Sequence, residues 1–191
     1  MAVASKAGLK RTYGELDRAE VLAALRTVAK RVGVDRVTMR ELAAELGAAA
    51  PSVYYHVPGK RAAIELLAES VLSEIPSPPD GPWPSQIIEF YCTARETILD
   101  VPGVAAILQT ISGNEPARRL DRLSRSLLRE AGLAKADALA AHAVLYTYLL
   151  GSITLEESRA VAGAPRGKRM AAAAFRAGLD VIVAGIKGSA Q

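Results

Sequence analysis

The sequence predicts an all-α fold, with a three-helix N-terminal unit and a larger C-terminal helical unit. Three observations carry this. Half of the 191 residues are apolar but only 5% are aromatic, and Ala and Leu, both strong helix formers, dominate over β-branched types. Apolar residues recur at helical spacing in nine stretches. Clusters of Pro and Gly fall between those stretches.

The first helix is expected over 17–32, where Leu22, Leu25, Val28, Ala29 and Val32 share a face. Asp17 with Glu20 forms a capping box, and Gly33 suits the exit. The second is "TMRELAAELG", capped by Thr38 with Glu41 as box partner and ended by Gly47. Ala48 and Ala49 make a tight connection. Pro51 opens a short third helix at a position where its missing N–H is not needed, and Pro58-Gly59 closes it. A fourth helix covers 60–75, with Ile64, Leu67, Val71 and Leu72 on one side. "PSPPDGPWP", 76–84, holds five prolines and cannot continue a helix. Further helices are expected over 85–101, 104–111, 117–131, 136–159 and 168–187. The expected organisation is a basic leader 1–16, a helical unit 17–61, a connecting helix 62–75, a junction 76–84 and a C-terminal unit 85–191.

A chain of this length buries a proper core. The single Cys92 excludes a disulfide framework and points to a reducing cytoplasm. The leader "MAVASKAGLKRTYGEL" has no apolar signal region, and no apolar run is expected to cross a bilayer. Residues 1–61 hold 11 Lys and Arg against 6 Asp and Glu, whereas residues 62–191 hold 13 against 14. All of the net charge of +4 therefore belongs to the first third, which suits a polyanionic partner. Lys6, Lys10 and Arg11 place part of it on the leader, which is either disordered or a minor-groove arm. No nucleophile elbow, phosphate-cradling Gly loop or metal-ligand spacing is present, so an enzyme is not expected, and neither a cofactor nor a metal.

Two helices joined by a tight turn inside a basic three-helix unit follow the helix-turn-helix plan, whose second helix enters the major groove of DNA. The third helix is then short because its outer face must stay free. Tyr54, Tyr55 and His56 offer phenol and imidazole groups to phosphates, sugars and thymine methyls. Lys60 and Arg61 supply charge at a helix start, Thr38 serves its cap and a phosphate, and Arg40 is suited to a bidentate guanine contact.

"VTMRELAAELGAAAPSVYYHVPGKRAAIELLAESVL", 37–72, resembles the DNA-binding domain of the tetracycline-repressor (TetR) family. The resemblance implies operator contacts at Thr38, Arg40, Pro51, Ser52, Tyr54, Tyr55, His56 and Lys60. Ala50 stands where the tetracycline-binding members carry a base-reading Gln, so their operator sequence does not transfer. "YLLGSITLEESRA" at 148–160 and "AFRAGLDVIVAGIKG" at 174–188 are similar to that family's long C-terminal helices.

The resemblance implies a C-terminal unit that dimerises through a four-helix bundle and encloses a ligand. Leu149, Ile153, Phe175, Leu179, Ile182 and Ile186 are the expected dimer-interface residues, monomer core being the plainer reading. Phe90, Tyr91, Arg95, Leu108, Ile111, His142 and Tyr146 are the expected effector-binding residues. For Arg95 and His142 the plainer readings are a carboxylate partner and a satisfied core group. A tetracycline–magnesium site is not expected, because His142 is the only histidine outside the reading head and Phe90 stands where a ligand-binding Asn belongs. The expected protein is a cytoplasmic, nucleoid-associated, ligand-responsive regulator without membrane attachment. As a homodimer it binds palindromic double-stranded operator DNA, with repression the default, and a small, largely apolar effector releases it. The alternative is a helical small-molecule carrier with a non-functional head.

Overall fold

The structure is a computed structural model and describes residues 16–110, 113–164 and 167–189. Expectations for leader residues 1–15 and for Ile111 lie outside the described residues. Among those described, there are nine α-helices and no strand: α1 (Arg18–Val32), α2 (Met39–Leu46), α3 (Ala50–His56), α4 (Lys60–Ser73), α5 (Trp83–Leu99), α6 (Val104–Leu108), α7 (Glu115–Glu130), α8 (Lys135–Val161) and α9 (Lys168–Ser189). A single 3-10 turn, Val34–Arg36, follows α1. The chain forms two compact units, Met1–Leu67 and Ala68–Gln191. Their division falls inside α4.

In the first unit the sequence signals act as read. Asp17 and Thr38 each close a full capping box, with Glu20 and Glu41 respectively. Each such cap stabilises its helix by about 1 kcal/mol. Gly47 adopts φ 61°, the left-handed value that ends α2 at no steric cost. Val21, Leu25, Val28, Val34, Val37, Leu42 and Val53 are essentially buried, and α1 packs on α2 and α3. Arg31 pairs with Glu45 at 2.9 Å, joining α1 to α2.

In the second unit α5 is the central helix, packing on α6, α7, α8 and α9. It starts two residues earlier than the apolar spacing implies, because Pro84 sits in its first turn, where a missing N–H costs nothing. Asn114 caps α7 by accepting from the Ala117 N–H at 2.8 Å. The Arg119 guanidinium of α7 donates to the carbonyls of Leu72 at 3.4 Å and Ile75 at 2.6 Å. It thereby satisfies acceptors that the end of α4 leaves open. The Gly103 N–H before α6 is held by Glu157 of α8 at 2.9 Å.

Two sequence expectations are corrected here. Leu149, Ile153, Phe175, Leu179 and Ile186 are buried within their own chain, so these five form core rather than a partner face, whereas Ile182 is half-buried. Their periodicity marked the inward side of α8 and α9. The apolar residues left exposed on the same helices are Leu155, Val161, Met170 and Val181. α8 is also long and apolar enough by length and composition to cross a membrane, with a mean hydropathy of 1.5 over its best window. One side of it buries Leu145, Leu149, Leu150 and Ile153.

α8 and α9 meet through an aromatic contact. The Tyr148 and Phe175 rings stack at 5.0 Å and 5°, and the Tyr148 hydroxyl donates to the Phe175 carbonyl at 3.1 Å. A Cβ at Gly178 would stand 2.0 Å from that hydroxyl. Gly→Ala inside a helix ordinarily stabilises by about 1 kcal/mol. At Gly178 the substitution is expected instead to destabilise by about 1–3 kcal/mol, the usual cost of overpacking. Urea unfolding of Gly178→Ala against wild type checks this, and a gain in stability would contradict the contact.

Candidate functional site

Two regions concentrate functional side chains, one in each unit. In the first unit, α3 buries only Val53. Tyr54 is 49% exposed and Tyr55 74% exposed, which is unusual for large aromatic side chains. The Tyr55 ring meets His56 edge-on at 5.3 Å, which restrains both. Arg40, Ala50 and Pro51 are exposed, and Ser52 is half-buried on the same short helix. Lys60 begins α4 and donates to the Asp35 carbonyl, leaving further ammonium hydrogens for an anion. Thr38 is more committed than the sequence suggests. Its hydroxyl accepts from the Glu41 N–H at 3.1 Å and donates to the Glu41 carboxylate at 2.9 Å. A phosphate bond from that hydroxyl therefore requires Glu41 to yield.

In the second unit a cavity of about 260 Å³ opens among α4, α5, α6, α7 and α8. Leu72, Ile75, Ala94, Ile98, Leu108 and Leu149 supply apolar wall, and Phe90, Tyr91, His142 and Tyr146 line it as the sequence leads one to expect. The His142 and Tyr146 rings are nearly parallel, 6.0 Å apart, and the Tyr146 hydroxyl donates to the Leu108 carbonyl at 3.0 Å.

Beneath this wall lies a connected polar group. The Tyr91 hydroxyl is 2.9 Å from Ser124 Oγ, Ser124 Oγ is 3.0 Å from His142 Nδ1, and Tyr91 is 3.4 Å from the same nitrogen. His142 Nε2 lies 3.1 Å from Asp121 Oδ1, and Arg125 pairs with the other Asp121 oxygen. Burial raises the pKa of Tyr91, outweighing the bond from Ser124, and burial likewise raises that of Tyr146. Burial lowers the pKa of His142, and nearby Arg125 adds to this while Asp121 opposes it. Ser, His and Asp stand here in the order of a hydrolase triad, but Ser124 is fully buried and does not line the cavity. The hydroxyl is enclosed within the wall and is not presented as a nucleophile.

Arg95 does not line this cavity, which corrects its expected place. It is buried, pairs with Glu156 and lies over the Phe175 ring at 5.5 Å, the carboxylate partnership named as its plainer reading. No group of three or more metal-ligating residues occurs among the described residues.

The model of bacterial regulatory proteins of the tetR family matches residues 21–69. An HTH-type transcriptional regulator of Saccharopolyspora erythraea is 35% identical over 153 residues, covering 76% of this chain. The match spans 63% of that regulator's length. A TetR variant from Acinetobacter baumannii in complex with minocycline superposes with a TM-score of 0.80 at 28% identity, covering 93% of this chain and 99% of its own. BioQ with its double-stranded DNA operator gives a TM-score of 0.76 at 26% identity, covering 91% and 99%. The chain belongs to the TetR family.

TetR-family likeness in the sequence located the reading head but not the centre of the cavity's polar group. Ser124 and Asp121 were missed because α7 reads as an ordinary charged amphipathic helix. One signal was available: Ser124 sits on the apolar stripe, four residues after Leu120 and four before Leu128. A hydroxyl at a core position needs a partner.

The His142 shift has a consequence for stability. The unfolded chain takes up a proton near the ordinary histidine value of about 6.5, whereas the folded chain resists protonation. The stability from neutral His142 is therefore fully present above that value and is lost as pH falls below it. In chemical denaturation between pH 7.5 and 5.5, His142→Gln is expected to show a shallower loss than wild type. Equal slopes would contradict the burial argument.

Proposed function

We propose that this chain is a ligand-responsive transcriptional regulator, acting by default as a repressor, that binds a palindromic operator as a homodimer. A small, largely apolar effector in the cavity of the second unit releases it. The observation that carries the reading is α3, a helix that gives only Val53 to the core and leaves two tyrosines in solvent. Such a face is costly to keep unless a partner uses it, and the surplus of positive charge in residues 1–61 favours DNA as that partner. The operator complex of BioQ supports the assignment by likeness.

A route for control is written into α4. Leu72 and Ile75, where it ends, wall the cavity, and Arg119 of α7 binds their carbonyls. The same helix begins at Lys60 in the first unit. A ligand that fits the cavity better for one placement of this helix end shifts the population of head positions.

Fluorescence anisotropy with DNA from upstream of the chain's own coding region, at two salt concentrations, tests the DNA reading. Wild type is expected to prefer that fragment over random DNA, and Arg40→Ala to weaken binding by about 1–3 kcal/mol, the worth of one bidentate base contact. Tyr54→Ala is expected to lose affinity as well. Equal, salt-sensitive binding to both DNAs, unchanged in the variants, favours the carrier reading instead.

The dimer face we assign is the outward side of α8 and α9, with Leu155 and Val181 at 51% and 73% exposure. Gly151 faces open space beside them and permits close approach. Sedimentation of Val181→Glu is expected to give a monomer with reduced operator affinity, since a buried unpaired carboxylate opposes association. A variant dimer as tight as wild type would place the interface elsewhere.

A further inference from the structure

We propose that the cavity selects an aromatic ligand by a hydrogen-bond donor, such as a phenol or amide N–H, which the ligand presents to the Tyr91 oxygen. This rests on the reading of the cavity as the effector site.

Asp121 is held by Arg125 on one oxygen and faces His142 Nε2 with the other. A carboxylate only accepts, so Nε2 carries the imidazole hydrogen. With the imidazole neutral at pH 7, as its burial favours, Nδ1 holds a lone pair and must accept. Two hydroxyls surround it, Ser124 at 3.0 Å and Tyr91 at 3.4 Å, and they also face each other at 2.9 Å.

Two hydrogens thus serve this triangle, in either of two patterns. Tyr91 donates to Ser124 while Ser124 donates to Nδ1, or Ser124 donates to Tyr91 while Tyr91 donates to Nδ1. Both patterns consume the Tyr91 hydrogen inside the wall. Tyr91 is among the lining residues, and a lone pair is all that its oxygen has left for a ligand. The remaining polar lining agrees. Asp121 accepts only, and the Tyr146 hydrogen is spent on the Leu108 carbonyl. Arg118, also in the lining, bonds Glu115 at 3.2 Å through Nε and keeps its other N–H groups, so the hydrogen count concerns the groups around Tyr91. The Tyr146 ring, stacked on that of His142 at 6.0 Å, adds aromatic surface to the lining against which an aromatic ligand ring packs.

A ligand that only accepts, such as an ether or a carboxylate, leaves the Tyr91 lone pair desolvated and unpaired, whereas a donor satisfies it. The test compares 2-naphthol with 2-methoxynaphthalene, the same ring and oxygen with and without the hydrogen, by isothermal titration calorimetry at pH 7.5. Wild type is expected to bind 2-naphthol about fivefold tighter, the size of one net hydrogen bond. In Tyr91→Phe, checked for folding by circular dichroism, the ratio is expected to fall to one or reverse, since the ether is the more apolar probe. Equal or tighter binding of the ether by wild type overturns the proposal whether or not the variant folds. A preference retained in Tyr91→Phe overturns it as well. Leu108→Trp separates the two levels. Binding of both probes that survives filling the cavity overturns the cavity reading itself, and the donor assignment with it.

Discussion

The second unit depends on one buried hydroxyl. Ser124 stands on α7 where an apolar side chain would ordinarily pack, and its oxygen lies within hydrogen-bond reach of both Tyr91 of α5 and His142 of α8. An unmade bond at such a site costs about 1–3 kcal/mol. The three helices are therefore held in one register relative to one another. The cavity is the space that this register leaves above the polar group, walled by Leu, Ile and aromatic side chains. From the same α7, Arg119 fixes the end of α4 by two carbonyls, so the wall and that helix end answer to one element.

The first unit follows a different logic. Its helices are short and terminated locally, by two capping boxes and a left-handed Gly47, and a small valine and leucine core suffices. With so much settled by local signals, α3 can leave one residue in the core and present the rest outward. Tyr54 and Tyr55 lie on that outward side.

Much of this was legible in the sequence. Helix positions followed from capping residues, Pro and Gly, because these act within a turn or two of chain. α6 ends at Leu108, before Gln109 and Thr110 that the reading had included, and the 3-10 turn after α1 was not foreseen, since neither carries a strong local signal. The reading head was legible as a constellation of residue types over a short span. The cavity was legible only in part. Phe90, Tyr91, Leu108, His142 and Tyr146 were found from apolar helices bearing an occasional polar group. Ser124 and Asp121 were hidden in a charged amphipathic pattern, and Arg95 turned toward Glu156 instead. Periodicity identifies the buried side of a helix, but it does not say whether own chain or partner buries it. That is why Leu149, Ile153, Phe175, Leu179 and Ile186 were assigned to the wrong surface.

The central claim is that the state of the cavity sets the affinity of the reading head. The direct test is operator binding by Leu108→Trp, a substitution that fills the cavity and leaves every residue of the first unit unchanged. The account predicts a change of about five- to 150-fold in operator affinity, the usual range of coupling between sites, in a variant that remains folded and of unchanged oligomeric state. Operator affinity identical to wild type, with the cavity demonstrably filled, would contradict it.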